Sequence, residues 1–152
     1  MTSAAPSDYF TIRLARIDDA DELAALATQL GYPTTTQQIS ERFAQIAADP
    51  KEAIYVAQLT DGELAGFTHV FTTKRLITDP YAELGGLVVD RNKRGLGIGA
   101  ELVWKAEQWA MDNKLTCLRI RSNRLRMDAE GFYLHLGYDL SKTQNVFLKW
   151  LE

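Results

Sequence analysis

The stretch from Gly85 to Ala110, GGLVVDRNKRGLGIGAELVWKAEQWA, limits what this chain can fold into more than any other feature. Leu87, Val88 and Val89 form an apolar run of strand type, and Gly95, Gly97 and Gly99 stand at alternate positions. From Gly97 or Ile98 to Met111, Leu102, Val103, Ala106, Trp109 and Ala110 recur on one face of a helix. A strand, a loop and a helix in direct succession leave several backbone N–H groups unpaired at the helix N-terminus, where the dipole also favours negative charge. Glycines without Cβ atoms let a phosphate approach those groups closely, and Arg91, Lys93 and Arg94 add charge at the rim. Local physics therefore predicts an anion cradle suited to a pyrophosphate. The competing reading is that the glycines only relax a tight turn beside a solvated basic face.

Two phosphate loops can be tested against this spacing. The Walker loop requires G-x-x-x-x-G-K-[ST], and no Lys-Ser or Lys-Thr follows these glycines. The dinucleotide fingerprint G-x-G-x-x-G finds Gly95 and Gly97 but Ala100 in its third place, and it normally opens the first unit of a larger domain. Net charge narrows the partners further: seventeen Lys and Arg against twenty Asp and Glu give −3, so no global basic field draws the chain to nucleic acid or to an anionic membrane. Any anion site has to be local.

At 152 residues and 46% hydrophobic, the chain fits one domain, expected over residues 9–152 after a loose tail at 1–8. "YFTIRLARI" alternates with the period of a half-buried strand, and Asp18 is placed to cap a helix through Leu23, Leu26, Ala27 and Leu30 that stops at Gly31. Thr35 or Thr36 can cap a second helix ending before Asp49-Pro50. A hairpin follows, with strands Ala53 to Leu59 and Leu64 to Thr73 about an Asp61-Gly62 turn. "YAELGGLVVD", "CLRIRS", "YDL" and "VFLKWL" read as strands, and Met127 to Leu136 as a short helix stopped at Gly137. The order is β-α-α-β-β-β-α-β-α-β-β, an α/β arrangement of α+β type with a mixed sheet and helices on both faces.

The single cysteine, Cys117, has no partner for an intrachain disulfide and no metal-ligand spacing, and is read as a core residue of a protein from a reducing compartment. The N-terminus lacks a basic region followed by an apolar one, and no apolar run approaches the ~20 residues of a membrane span. These points lead to the expectation of a cytoplasmic protein that needs no metal.

"RGLGIG", with Arg94, Gly97 and Gly99 in an R-x-x-G-x-G pattern after a "LVVD" strand, resembles the acetyl-CoA loop of the GNAT superfamily of N-acetyltransferases. "DAEGFYLHLGY" downstream resembles that family's second signature, a short helix carrying Tyr133 before an LG[FY] turn. The element order is similar to the GNAT fold from about residue 9 to 151. That resemblance implies a GNAT-like, mostly antiparallel sheet of about seven strands, and acetyl-CoA as co-substrate.

The same resemblance implies roles for individual residues. Leu87, Val88 and Val89 match strand-end positions whose backbone groups bind the pantetheine arm and acetyl carbonyl, where the strand splays from its neighbour. Arg94, Gly95, Leu96, Gly97, Ile98, Gly99 and Ala100 match the pyrophosphate loop. Tyr133 matches the tyrosine that protonates the departing thiolate, a role open to a phenol whose ordinary pKa is near ~10. Glu83 lies eleven positions before Arg94, where histone-acetylating relatives carry a glutamate base; many other relatives use ordered water. One departure stands out: Arg126 occupies a position where many relatives carry a CoA-contacting Asn, with Asn123 nearby, and neither is assigned to CoA.

Acceptor choice is expected to rest on "LGYPTTTQQ", "TTKRLITDPYAE" and "KTQNVF". His69 and Tyr81 stand as candidates for an acceptor cleft, although His69 also fits a hairpin residue satisfied by the adjoining strand. Trp104 and Trp109 are read as packing the helix on the sheet, and Trp150 as structural or as part of a homodimer seam. Two activities remain: an N-acetyltransferase acting on a primary amine of a small molecule or a protein, or a catalytically silent acyl-CoA-binding regulatory module.

Overall fold

A computed structural model describes residues 9–122 and 127–152. The expected tail at 1–8, and Asn123 and Arg126, lie outside the described residues. What is described falls into two compact units that meet in sequence at Arg121 and Ser122.

The first unit is built on a sheet of five strands in the order β1-β2-β3-β4-β5. Strand β1 is Phe10–Leu14, β2 Glu52–Leu59, β3 Leu64–Arg75, β4 Thr78–Val89 and β5 Leu118–Ile120. Neighbours from β1 to β4 run antiparallel, and β5 joins β4 in parallel. Parallel strands need a long connection, and the helix α3 (Ile98–Asp112) supplies it. Asp61-Gly62 makes the β2–β3 turn, with Gly62 at φ +95° and the Asp61 carboxylate accepting from the Glu63 amide.

Helices cover both faces. On one, Ile98, Leu102, Ala106, Trp109 and Ala110 of α3 pack with Phe10, Tyr55, Val70 and Leu84. On the other, Leu23 and Leu26 of α1 (Ala20–Leu30) pack with Val56, Leu64 and Val88. Each fully buried Leu or Val contributes about 1.5–3 kcal/mol by leaving water, so the wholly buried Val56, Val70, Leu102 and Val103 anchor the layers. Helix α2 (Thr36–Ala47) begins as expected: Thr35 Oγ1 accepts from the Gln38 amide, and the Gln38 side chain returns to accept from the Thr35 amide.

Asp18 does not cap α1. A 3-10 turn over Ile17–Asp19 precedes that helix, and Asp19 is drawn away to a forked pair with Arg13, at 2.8 and 2.9 Å, and to the Arg16 amide at 2.7 Å. Burial alone would push the Asp19 carboxyl up, but the Arg13 and Arg16 interactions together outweigh it and hold it below the usual carboxylate range.

In the second unit, α4 (Met127–His135) ends where Gly137, at φ +93°, turns the chain. The expected closing strands are absent: residues 138–152 join no ladder, so the sheet has five strands among the described residues where about seven were expected. Phe147 and Trp150 are each 89% exposed. An apolar run rich in aromatic residues records a preference for extended backbone, whereas a strand also needs a partner edge, which lies outside local sequence. Cys117 likewise differs from its expected core position: its carbonyl accepts from the Ala82 amide at the entry to β5, which leaves the thiol exposed.

Candidate active site

Strand β4 delivers the chain to the glycine loop. Its pairing with β5 covers only Ala82, Glu83 and Leu84, so from residue 85 to 89 its edge opposite β3 has no strand partner among the described residues. Leu87, Val88 and Val89 lie in this splayed part, with Val88 buried toward α1 and the other two packed on the α3 side. Gly66 of β3 faces Val89 there, and a Cβ at Gly66 would stand 2.5 Å from the Val88 carbonyl oxygen. Close backbone approach therefore requires glycine at 66.

Beyond Val89 the loop is fastened at several points. The Asp90 amide donates to Ala65 O (2.7 Å), the Asp90 carboxylate accepts from Asn92 N, and Gln29 of α1 accepts from Arg91 N. Lys93 pairs with Glu63 at 3.6 Å, whereas Arg91 and Arg94 are exposed. Gly95 and Gly97 adopt φ of +84° and +80°, and a Cβ on either would meet nothing within 4 Å. The first bond of α3 runs from Glu101 N to Gly97 O (3.1 Å), so the amides of Ile98, Gly99 and Ala100 lie ahead of the helical ladder. Ile98 is buried and pins the helix start; Leu96 is exposed beside it.

Unpaired amides at a helix start, beside glycines whose Cβ positions are open, make a positively polarised end that can receive an anion such as a diphosphate. Glu101 opposes that polarity. Its Oε1 is buried without a hydrogen-bond partner among the described residues, and burial pushes its carboxyl above the usual range.

Glu83 lies on β4 before the splay. Arg121 Nε holds its Oε2 at 3.0 Å, and Thr73 Oγ1 donates to its Oε1 at 3.3 Å, so the carboxylate is fixed in orientation and largely covered. His69 Nε2 sits 2.8 Å from Glu52 Oε1 on the neighbouring strand, which gives the histidine the partner expected of a hairpin residue. Tyr81 is buried beneath the Arg119 guanidinium, 4.4 Å above its ring. Tyr133 belongs to the second unit, on α4, with ring centroids 5.1 Å from Phe132 and 6.1 Å from Tyr138.

The Acetyltransferase (GNAT) family model matches residues 17–138, which span β2 to β5, the glycine loop and α4. The chain belongs to this acetyltransferase family. Among curated relatives it is similar to aminoglycoside N(6')-acetyltransferase type 1 of Stenotrophomonas maltophilia, 27% identical over 96% of this chain and 93% of the relative. Among solved structures, the aminoglycoside antibiotic 6'-N-acetyltransferase AAC(6')-Ih of Acinetobacter baumannii matches with TM-score 0.83 at 18% identity, over 94% of this chain and 99% of that one. AAC(6')-Iy in complex with a CoA-containing bisubstrate analogue matches with TM-score 0.82 at 16% identity, over 94% and 99%. At such identities the structural likeness speaks for the GNAT fold.

The glycine loop and Glu83 are singled out in the sequence, whereas Arg119, Arg121 and Thr73, which the structure sets beside Glu83, are not. The alternation in "CLRIRS" does place both arginines on one face of a strand. Which strand that face adjoins is not legible from it. Among the described residues no helix is long and apolar enough to cross a membrane, and no group of His, Cys, Asp and Glu is arranged to hold a metal.

Proposed function

We propose that this GNAT chain is an N-acetyltransferase that moves the acetyl group of acetyl-CoA to a primary amine of a small molecule. The observation that carries the reading is the glycine loop: two left-handed glycines whose Cβ positions are open, followed by α3 amides ahead of the first helical bond. A CoA pyrophosphate fits that cradle, with Arg91 and Arg94 at its rim.

The residues then divide the work. The Leu87–Val89 backbone, free of β5, offers amides to the thioester arm and to the oxyanion that develops as the amine adds to the carbonyl carbon. Glu83 takes a proton from the attacking ammonium, directly or through water, because only the neutral amine has a free electron pair. As the new N–C bond forms and the C–S bond breaks, the Tyr133 hydroxyl supplies the proton that leaves CoA as a thiol. Family membership and the small-molecule amines named for the relatives support this assignment.

The test is thiol release from acetyl-CoA across a panel of amines that includes aminoglycosides. Tyr133→Phe is expected to lower kcat by about 100–10,000-fold, the range for losing a positioned acid, while acetyl-CoA affinity changes less than about threefold. Unchanged kcat in that variant removes Tyr133 as the acid. Thioester binding without thiol release from any amine removes the enzyme reading.

A further inference from the structure

Three guanidinium groups, those of Arg75, Arg119 and Arg121, gather around Tyr81 and Glu83 on one face of the sheet. Register aligns Glu52, Phe71, Glu83 and Arg119 in one row across β2, β3, β4 and β5, so these four side chains share a face. Two residues before Glu83 along β4, Tyr81 shares this face with its partner Thr73, and in the other direction Arg121, just past β5, reaches Glu83. Arg75 adds a third guanidinium, 6.0 Å from the Tyr81 ring. Of the two carboxylates in the row, Glu52 is engaged by His69 and Glu83 by Arg121.

Arg119 is the distinctive member of this group. It lies over the buried Tyr81 ring, and its Nη1 donates to the Tyr81 hydroxyl at 3.3 Å. Among the described residues that is its one hydrogen bond, and it has no carboxylate within ion-pair distance. A guanidinium carries five donors, so most of the fork is unspent, while stacking has already restricted its motion. Half-buried, oriented and without a counter-ion among the described residues, it is built to receive a planar anion.

We infer that Arg119 is a specificity determinant that selects acceptors carrying a carboxylate close to the amine, as in an amino acid. This rests on the acetyltransferase reading with Glu83 as the base. Arg119 is the register partner of Glu83 on the adjacent strand, and neighbouring strands lie about 4.8 Å apart, which suits a compact zwitterion. The ammonium goes to Glu83 and the carboxylate to the Arg119 fork. A polycationic aminoglycoside would instead bring its further ammonium groups against Arg75, Arg119 and Arg121, where like charges repel.

The experiment compares paired acceptors by thiol release: amino acids, the same amino acids as amides, and aminoglycosides. Carboxylate acceptors are expected to exceed their amides in kcat/KM by about tenfold or more, the worth of one charge-assisted pair. Arg119→Gln should collapse that ratio to near one through KM, and Arg119→Lys should restore part of it. Amides or aminoglycosides used as well as the acids, or a ratio that survives Arg119→Gln, overturns the inference. A second measurement titrates N-acetyl amino acids into the CoA-bound protein by calorimetry. Binding that Arg119→Gln abolishes supports the anion site even if no amine releases thiol, an outcome that would sink the acetyltransferase reading alone; absence of binding overturns the site.

Discussion

Replacing Gly97 by alanine separates the two roles a loop glycine can play. Gly97 sits at φ +80° with open space where a Cβ would point, so the substitution meets no clash and costs only the left-handed backbone, about 1–2 kcal/mol. Gly62, in the β2–β3 turn at φ +95°, is also open within 4 Å. Gly62→Ala therefore carries the same backbone cost in a different turn. At about 2–4 °C per kcal/mol for a chain of this size, both variants should melt roughly 2–8 °C below the parent.

Ligand binding should part them. The methyl group that Gly97→Ala introduces would project into open space at the N-cap of α3, next to the amides proposed to hold the pyrophosphate. Calorimetric titration with acetyl-CoA should show a loss of about tenfold or more in Gly97→Ala and less than about twofold in Gly62→Ala, once both are measured well below their Tm. Equal affinities in the two variants would refute the cradle and leave the glycines as turn residues only.

Gly66→Ala should be costlier than either, because its Cβ would press on the Val88 carbonyl at 2.5 Å and on Leu102 and Val89 at 3.3 Å. A loss of about 1–3 kcal/mol is expected by urea denaturation, with thioester turnover falling as the β3–β4 spacing opens. The Asp19 carboxyl is held low in the folded chain, so its stabilisation is present above the unfolded value of about 3.9 and is lost as pH falls through the folded value. Asp19→Asn should accordingly flatten the acid limb of a Tm against pH profile below about pH 4, and an unchanged limb would assign acid unfolding to other groups. Glu101 has the opposite sign. Its folded value is raised, so stability declines as pH rises from the ordinary glutamate range through that value. Glu101→Gln should raise Tm at neutral pH, leave it unchanged in acid, and tighten acetyl-CoA by removing a carboxylate from the first turn of α3.

Much of this layout was legible in the chain itself. The cap expected at Thr35 or Thr36, which falls on Thr35, the Asp61-Gly62 turn and the apolar stripe of α3 are set by neighbours a few residues apart. The glycine loop was legible for the same reason, since strand, loop and helix follow one another without interruption. The misreadings share a different cause. Asp18 fits a cap by residue type, but the chain enters α1 through a 3-10 turn that contains it, and Asp19 in that turn is held by Arg13 of β1. "VFLKWL" has the composition of a strand, but composition does not supply a partner edge. Residue type alone puts Cys117 in the core, and its exposure follows from where β5 begins.

The site around Glu83 shows the same division. By strand parity Glu83 and Val88, five residues apart, point to opposite faces. The ladder shifts between His69 and Val70 against Gly86 and Leu84, leaving Gly85 as an extra residue. That bulge returns Glu83 and Val88 to one side of the sheet. Gly85 has no side chain to obstruct it: a Cβ there would lie 2.8 Å from Phe71 and 2.9 Å from His69.

Contiguous residues were therefore enough to indicate the family and the place of the glycine loop between β4 and α3. The place of Arg119 beside Glu83, and the hold of Arg121 and Thr73 on that carboxylate, came from tertiary packing, because strand register is set between segments far apart in the chain.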